Sequence, residues 1–504
     1  MNDNREVNGQ NILLILTDQQ RADTLSCYDP DGLCRTPHLD RFARDAIVFD
    51  NGYTNCAVCS PARASLMTGL QPSHHGIQTN TRGYGCRVHD LPDTPDLLSR
   101  RLAAAGYRCG YTGKWHLGFD RTEPGTDTAP FPDWYFAGGN ALPTTRGFIG
   151  DDFPGHGGGG YDYPLFQEYL RSNGLDFVVD QEPREQTHPN HTHWGEVTSP
   201  VESTNEFYLV ERAIQHLDRL RSGEGPFYFQ LNFWGPHEPF YAPTRHLDAY
   251  RDLAIPPWPN FADPLIDKPA IHDVWRRFDQ PWEFFATALR HYYGFMSSID
   301  EQIGRLLAYL HDTGLYDETT IIFVADHGDS HGCHAGLENK AIHMYEEIMK
   351  IPYLIKPAGS THGGRRNNLV SLYDLYATVL EIAGVSRPIA ERDGRSLVPV
   401  IESPDAPWRD HLLAEGSGTG QDVLLDQRML RFDDSKYVFN AGMQDELYDL
   451  AADAHELTNL APRPAEAPRV RHARERMYAA MLEMGDPIAP VFRHLMLRET
   501  PAGT

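Results

Sequence analysis

The sequence predicts an α/β fold: a large mixed, mostly parallel sheet flanked by helices, followed by a smaller C-terminal α+β domain. Three observations carry this. Four short apolar runs each stop abruptly in polar residues, the pattern of strands buried on both faces of a parallel sheet. Helically spaced segments lie between them. Past about residue 395 the pattern changes to a strand-like "SKYVFNA" and a long charged helix near Pro464 to Met484. We divide the chain into residues 1–395, with an insertion at about 120–200, and residues 396–504. No internal repeat is evident.

The first run, "NILLILTDQQ" (11–20), breaks off at Thr17-Asp18-Gln19. "CAVCSPARASLMTG" (56–69) then reads as a helix start, with Ser60 as N-cap, Pro61 at the first helical position and Ala62, Leu66 and Leu70 at helical spacing. Cys59 falls just outside that start. A helix N-terminus carries partial positive charge and unpaired N–H groups, which depress a thiol pKa or hold an anion. The plainer reading of the same residues is a buried cysteine beside an ordinary capped helix. A second strand, Gly106 to Thr112, delivers Lys114 and His116, and a third, Phe227 to Trp234, delivers His237. "TTIIFVADHGD" (319–329) is the fourth and ends in Asp326-His327, and "LVSLYDLYATVLEIAG" (369–384) reads as a helix near the close of the α/β part. Residues 120 to 200, rich in Gly, Pro and aromatics, are too many for an ordinary connection and are read as an insertion beside the cleft.

Composition narrows the function. The 504 residues are 40% hydrophobic, and no apolar run reaches the length of a membrane span. "MNDNREVNGQ" lacks the basic and apolar regions of a secretion signal, so a cytoplasmic location is expected. Seven cysteines, odd in number and without paired metal spacing, fit reduced thiols. Cys56 and Cys59 do form one C-x-x-C, a redox reading that leaves Pro61 and Arg63 unexplained. The net charge of -25 argues against nucleic acid or an anionic membrane as partner. An anionic substrate would need a local cluster of cations.

Such a cluster is present. In an open parallel sheet the ligand site lies at the carboxyl ends of the strands, so polar residues just past four strands can converge. Asp18, Gln19, Asp326 and His327 form a mostly oxygen donor set, which suits Ca²⁺, Mg²⁺ or Mn²⁺. Arg63, Lys114, His116, His237 and Lys340 supply positive charge and proton donors, as a tetrahedral oxyanion requires.

At this point the residues resemble a family. "CSPAR" resembles the C-x-P-x-R signature of the type I sulfatases of the alkaline phosphatase superfamily. "ILLILTDQQRADTL" and "IIFVADHGDSHGCHAGLENK" resemble its two metal-bearing strands, "GYTGKWHLG" its lysine and histidine loop, and "ELYDLAADAHELTNLA" its C-terminal motif. The similarity runs from about residue 10 to about residue 462. It implies an alkaline phosphatase-like fold and conversion of Cys59 to formylglycine by a formylglycine-generating enzyme during maturation. It implies further that one divalent ion, Ca²⁺ first and Mn²⁺ or Mg²⁺ as alternatives, is held by Asp18, Gln19, Asp326, His327 and residue 59. Arg63 would hold the formylglycine, His116 would contact its second hydroxyl, Lys114 and Lys340 would bind sulfate oxygens, and His237 would protonate the leaving group.

The expected activity is hydrolysis of a sulfate ester on a sugar, the substrate being small and anionic. Tyr161, Tyr163, His191, His193 and Trp194 in the insertion are offered as stacking and hydrogen-bonding groups for the sugar. An aryl or choline-type sulfate, or a phosphonate monoester or phosphodiester, is the alternative. Gln19 stands where many members carry a second Asp, as in the phosphonate monoester hydrolase and choline sulfatase branches. A catalytically dead binding protein would have lost a ligand or Cys59, and neither is lost. His331, Cys333 and His334 are read as loop packing, and homo-oligomerisation is left open.

Overall fold

The computed structural model describes residues 9–81, 85–118, 141–153, 159–180, 194–276, 280–340, 343–385, 392–418 and 424–497. Strands β1 (Asn11–Asp18), β2 (Ile47–Tyr53), β3 (Arg108–Gly113) and β4 (Ile149–Gly150) are followed by the short β5 (Val179–Asp180) and β6 (Trp194–Val197). Next come β7 (Phe227–Pro236), β8 (Phe240–Pro243), β9 (Thr319–Ala325), β10 (Tyr353–Lys356) and β11 (Gly364–Ser371). The chain closes with β12 (His411–Gly416), β13 (Gln427–Phe432), β14 (Ser435–Asn440) and β15 (Glu446–Asp449).

The main sheet has eight strands in the order β11-β2-β10-β9-β1-β7-β3-β4. Every pairing is parallel except the two made by β10. The carboxyl ends of β1, β2, β3, β7 and β9 therefore share one edge of the molecule. β1 is central, its Leu13 opposite Phe229 of β7 and Ile321 of β9. Its alternate side chains enter two separate cores. Leu13 and Ile15 pack with the helices Asn205–Arg221 and Trp282–Asp312, while Ile12, Leu14 and Leu16 pack toward the helices Cys59–Thr68 and Asp374–Ile382.

A second, antiparallel sheet runs β12-β13-β14-β15. One face, with Leu413, Leu430, Tyr437 and Phe439, takes the helix Ala467–Met484. Its other face, with Leu412, Ala414, Met429 and Val438, packs on Tyr53, Met344 and Tyr373 of the main body. The predicted fold class is the one observed. The helix read at 369–384 is corrected: Leu369, Val370 and Ser371 pair with Asn51, Gly52 and Tyr53 of β2, so the helix is confined to Asp374–Ile382. Sheet pairing outweighs helical spacing there. Among the described residues no helix is long and apolar enough to cross a membrane.

Candidate active site

Asp18, Gln19, Cys59, Arg63, Lys114, Asp326, His327 and Lys340 meet at the shared carboxyl edge. β1 ends on Asp18, and Gln19 turns the chain with φ 59°, its N–H donating to Asp326 Oδ1 at 3.1 Å. β2 leads to the helix Cys59–Thr68, where Val58 is the N-cap and Cys59 is the first helical residue. Ser60 is therefore not the N-cap. Its hydroxyl donates instead to the carbonyl of His116 at 2.6 Å, which ties the helix start to the loop after β3.

Asp18, Cys59, Asp326 and His327 are fully buried, and each offers a ligand atom within 4.8 Å of the others. Cys59 Sγ lies 3.3 Å from His327 Nε2 and 3.7 Å from both Asp18 Oδ1 and Lys114 Nζ. Arg63 spans the two carboxylates, donating from Nη2 to Asp18 at 2.8 Å and from Nε to Asp326 at 3.0 Å. Lys114 Nζ is 2.7 Å from Asp18 Oδ2. The backbone that carries Lys114 is itself fixed, since its carbonyl accepts from Arg63, Tyr111 and Asn232. Lys340 donates to Gln19 Oε1, and Gln19 Nε2 donates to Asp329.

Electrostatics follow from burial and these pairs. Burial works to raise the Asp18 pKa, yet Lys114, His237, Arg63 and His327 together hold it well below the ordinary carboxylate value. Asp326 is pushed up to about 6 by burial and by the Asp18 charge. Burial keeps His327 neutral, and its Nδ1 faces the Gly328 carbonyl at 2.9 Å. That bond places the proton on Nδ1 and leaves the Nε2 lone pair directed at Cys59 and the carboxylates. Burial opposes the charge on Lys340, but Cys59, Asp18, Asp326 and Asp329 raise its pKa. His237 lies just past β7, half-buried, with Nδ1 at 2.7 Å from the Glu238 carbonyl, and its charge reaches Asp18.

Among the described residues of the insertion, the three aromatic side chains offered for the sugar pack into the core instead. Tyr161 stacks on Phe177 at 4.4 Å, Tyr163 packs on Phe153 and Trp234, and Trp194 packs on Phe284; all three belong to the core. Their apolar area is spent inside the protein. His191 and His193 lie outside the described residues. His331 packs on Tyr292 and His334 stacks on Tyr345, in keeping with loop packing. Asp329, Tyr111 and Asn232 belong to the network but are not singled out by the sequence reading. For Asp329 the available signal is its position three residues after Asp326.

The chain is similar to known proteins over most of its length. The sulfatase family model matches residues 10–385, and a model described as N-sulphoglucosamine sulphohydrolase, C-terminal, matches residues 334–483. The chain belongs to the sulfatase family of the alkaline phosphatase superfamily and is a hydrolase. It is 30% identical to the multifunctional alkaline phosphatase superfamily protein PehA of Trinickia caryophylli, over 95% of this chain and 96% of the relative. With an arylsulfatase of Clostridium perfringens it shares 28% identity over 89% of this chain and 90% of that one. A phosphonate monoester hydrolase from Silicibacter pomeroyi has the same fold, with a TM-score of 0.73 at 22% identity, covering 94% of this chain and 95% of the other.

Proposed function

We propose that the protein hydrolyses a small monoanionic sulfate ester to an alcohol and inorganic sulfate, with residue 59 as the nucleophile after conversion to formylglycine. The observation that carries this reading is the convergence of Cys59 with Asp18, Asp326 and His327 on one side and the cations of Arg63, Lys114 and Lys340 on the other. In a chain of net charge -25, a buried group of cations at one edge is where an anion would be drawn.

The donor set fits a divalent cation. It offers two carboxylates, a neutral imidazole whose Nε2 lone pair faces inward, and an Asp326 whose raised pKa reflects burial and crowding against Asp18 that a cation would relieve. Asp18, Gln19, Asp326, His327 and residue 59 would hold the ion, for which we propose Ca²⁺, with Mn²⁺ or Mg²⁺ as alternatives. When bound, the ion supplies positive charge that polarises the sulfuryl oxygens and favours the ionised nucleophile. The hydrated aldehyde supplies two geminal hydroxyls, one to displace the alcohol from sulfur and one whose deprotonation releases sulfate. The chain does the rest. Arg63 fixes the two carboxylates and the start of the helix relative to each other. Lys114 and Lys340 neutralise the charge of the sulfuryl oxygens, His116 takes up the second hydroxyl, and His237 Nε2 gives a proton to the departing oxygen.

The leaving group is proposed to be small. A sugar remains one candidate, but of the five residues on which that preference rests Tyr161, Tyr163 and Trp194 face the core, and His191 and His193 lie outside the described residues. Gln19 favours a second reading, hydrolysis of a phosphonate monoester. The Lys114 and His116 pair supports sulfate. Measurement of kcat/KM across sulfated monosaccharides, an aryl sulfate, choline sulfate and a phosphonate monoester tests both. A sulfate ester is expected to lead, and a phosphonate favoured by orders of magnitude would replace this reading with the second.

A further inference from the structure

Gln19 is bound at every polar atom. Its N–H donates to Asp326, its carbonyl accepts from the Tyr292 hydroxyl at 3.1 Å, its Oε1 accepts from Lys340, and its Nε2 donates to Asp329 Oδ2. All of these groups are buried. Asp329 is equally committed. Its Oδ1 accepts the His331 N–H at 3.0 Å and its carbonyl accepts from Arg21 at 3.0 Å. Burial works to raise its carboxyl, yet His331 and Gln19 hold it below the ordinary value.

A primary amide has two nearly isosteric ends, and its orientation is decided by its partners. Flipping Gln19 would set its oxygen against the Asp329 carboxylate and its NH₂ against the Lys340 ammonium, with both contacts repulsive and buried. The orientation is therefore locked. A carboxylate at the nitrogen end and a cation at the oxygen end also polarise the amide in the same sense, increasing negative charge on Oε1. That oxygen has two lone pairs, and Lys340 occupies one.

We propose that Asp329 is a positioning residue for the cation site: it orients and polarises the Gln19 amide so that Oε1 acts as a hard oxygen ligand. A buried carboxylate thus stands one residue further out, behind a neutral ligand. This rests on the cation site proposed above. Its prediction is a coupling between positions 19 and 329. Asp329→Asn removes the lock, since the amide it introduces can donate to Gln19 Oε1 and draw that oxygen from the ion. Gln19→Asp in that background puts a carboxylate back at the site, with the introduced amide as its donor.

The test measures the dissociation constants of Ca²⁺ and Mn²⁺, each alone, by competition with a chelating dye on purified full-length protein, so that no turnover is needed. Wild type should bind one ion, and Asp18→Ala should lose it; if either fails, the cation site itself is refuted. Given both, Asp329→Asn should weaken binding by about 10- to 100-fold, the usual scale for a residue behind a ligand. Adding Gln19→Asp should recover most of that loss. Should Asp329→Asn fail to fold, Gln19→Asp alone still decides, because a carboxylate facing Asp329 should bind no tighter than wild type. The proposal is overturned if Asp329→Asn changes binding by less than twofold. It is overturned equally if Gln19→Asp tightens binding by the same factor in both backgrounds.

Discussion

Among the described residues two clusters of ligand-type side chains lie close enough to grip an ion: Asp18, Cys59, Asp326 and His327, all buried at the carboxyl edge of the main sheet, and His334, Glu347 and Glu456, of which Glu347 is half-buried. They differ in what their histidines have left to offer. His327 gives Nδ1 to a backbone carbonyl and directs Nε2 at the other donors. His334 engages both nitrogens, Nδ1 with Asp263 at 2.8 Å and Nε2 with Asn260 at 3.0 Å. Burial works to lower the His334 pKa, but Asp263 and Glu347 raise it. Cations reach carboxylates in and around both clusters, so the contrast lies in the histidines. Lys436 lies 2.5 Å from Glu456 and 3.2 Å from Glu346, while Lys268 lies 2.5 Å from Asp263. Proximity of ligand types is therefore not enough. A metal needs a lone pair that the protein has not already used.

The largest expected effect separates chemistry from architecture. Cys59→Ala should lower kcat by at least about 10⁴-fold, the scale seen when a covalent nucleophile is removed, with an unchanged melting temperature. Peptide mass analysis of wild type made alongside a formylglycine-generating enzyme should show formylglycine at residue 59. An active Cys59→Ala protein would remove residue 59 from the mechanism.

A second pair of variants tests the comparison itself. His327→Ala should weaken divalent-ion binding by more than about 100-fold, beyond the range for outer residues, while the fold persists. His334→Ala should keep one ion per chain but lose roughly 1.5–3 kcal/mol of stability, because Asp263 gives up a buried hydrogen bond to the ring while keeping Lys268. Elemental analysis and denaturant unfolding read the two outcomes. Loss of an ion in His334→Ala would make the second cluster a metal site and break the contrast.

How much of this is legible from the residues depends on which interactions are local. Asp18, Asp326 and His327 can be read because an apolar run that ends abruptly fixes both the strand and the residue just past it. Lys340 follows no such run: it enters the cation set without a strand end to place it, and only the family resemblance gives it a specific role. Ser60 has the residue type and position of a cap, but its hydroxyl goes to His116, 56 positions away. Leu369 to Ser371 have helical spacing, but their partners lie in β2. The aromatic insertion suggests a sugar platform, and nothing in the sequence reveals that Phe177, Phe153 and Phe284 are waiting to bury it. Asp329 escapes the reading for the same reason: its partner Gln19 is 310 positions earlier.

The buried carboxylate of Glu206 sharpens the contrast, because among the described residues no cation holds it ionised. Glu206 sits in the first turn of the helix Asn205–Arg221, and burial pushes its carboxyl up to about 7, with only its own backbone N–H acting the other way. Because the folded pKa is above the ordinary 4.5, the protonated acid is the form the fold favours. Its contribution is complete below pH 4.5, declines as the unfolded chain ionises first, and levels off once pH passes the folded value near 7. The shift corresponds to about 3 kcal/mol at most. Glu206→Gln keeps the shape without the charge, so its stability relative to wild type should rise from pH 4.5 to about pH 8 by up to that amount, with ion binding unchanged. Denaturant unfolding of both proteins at each pH reads it. Parallel curves across the window would mean that Glu206 is ionised at no cost, and hence that it has a positive partner after all, like the carboxylates of the two clusters.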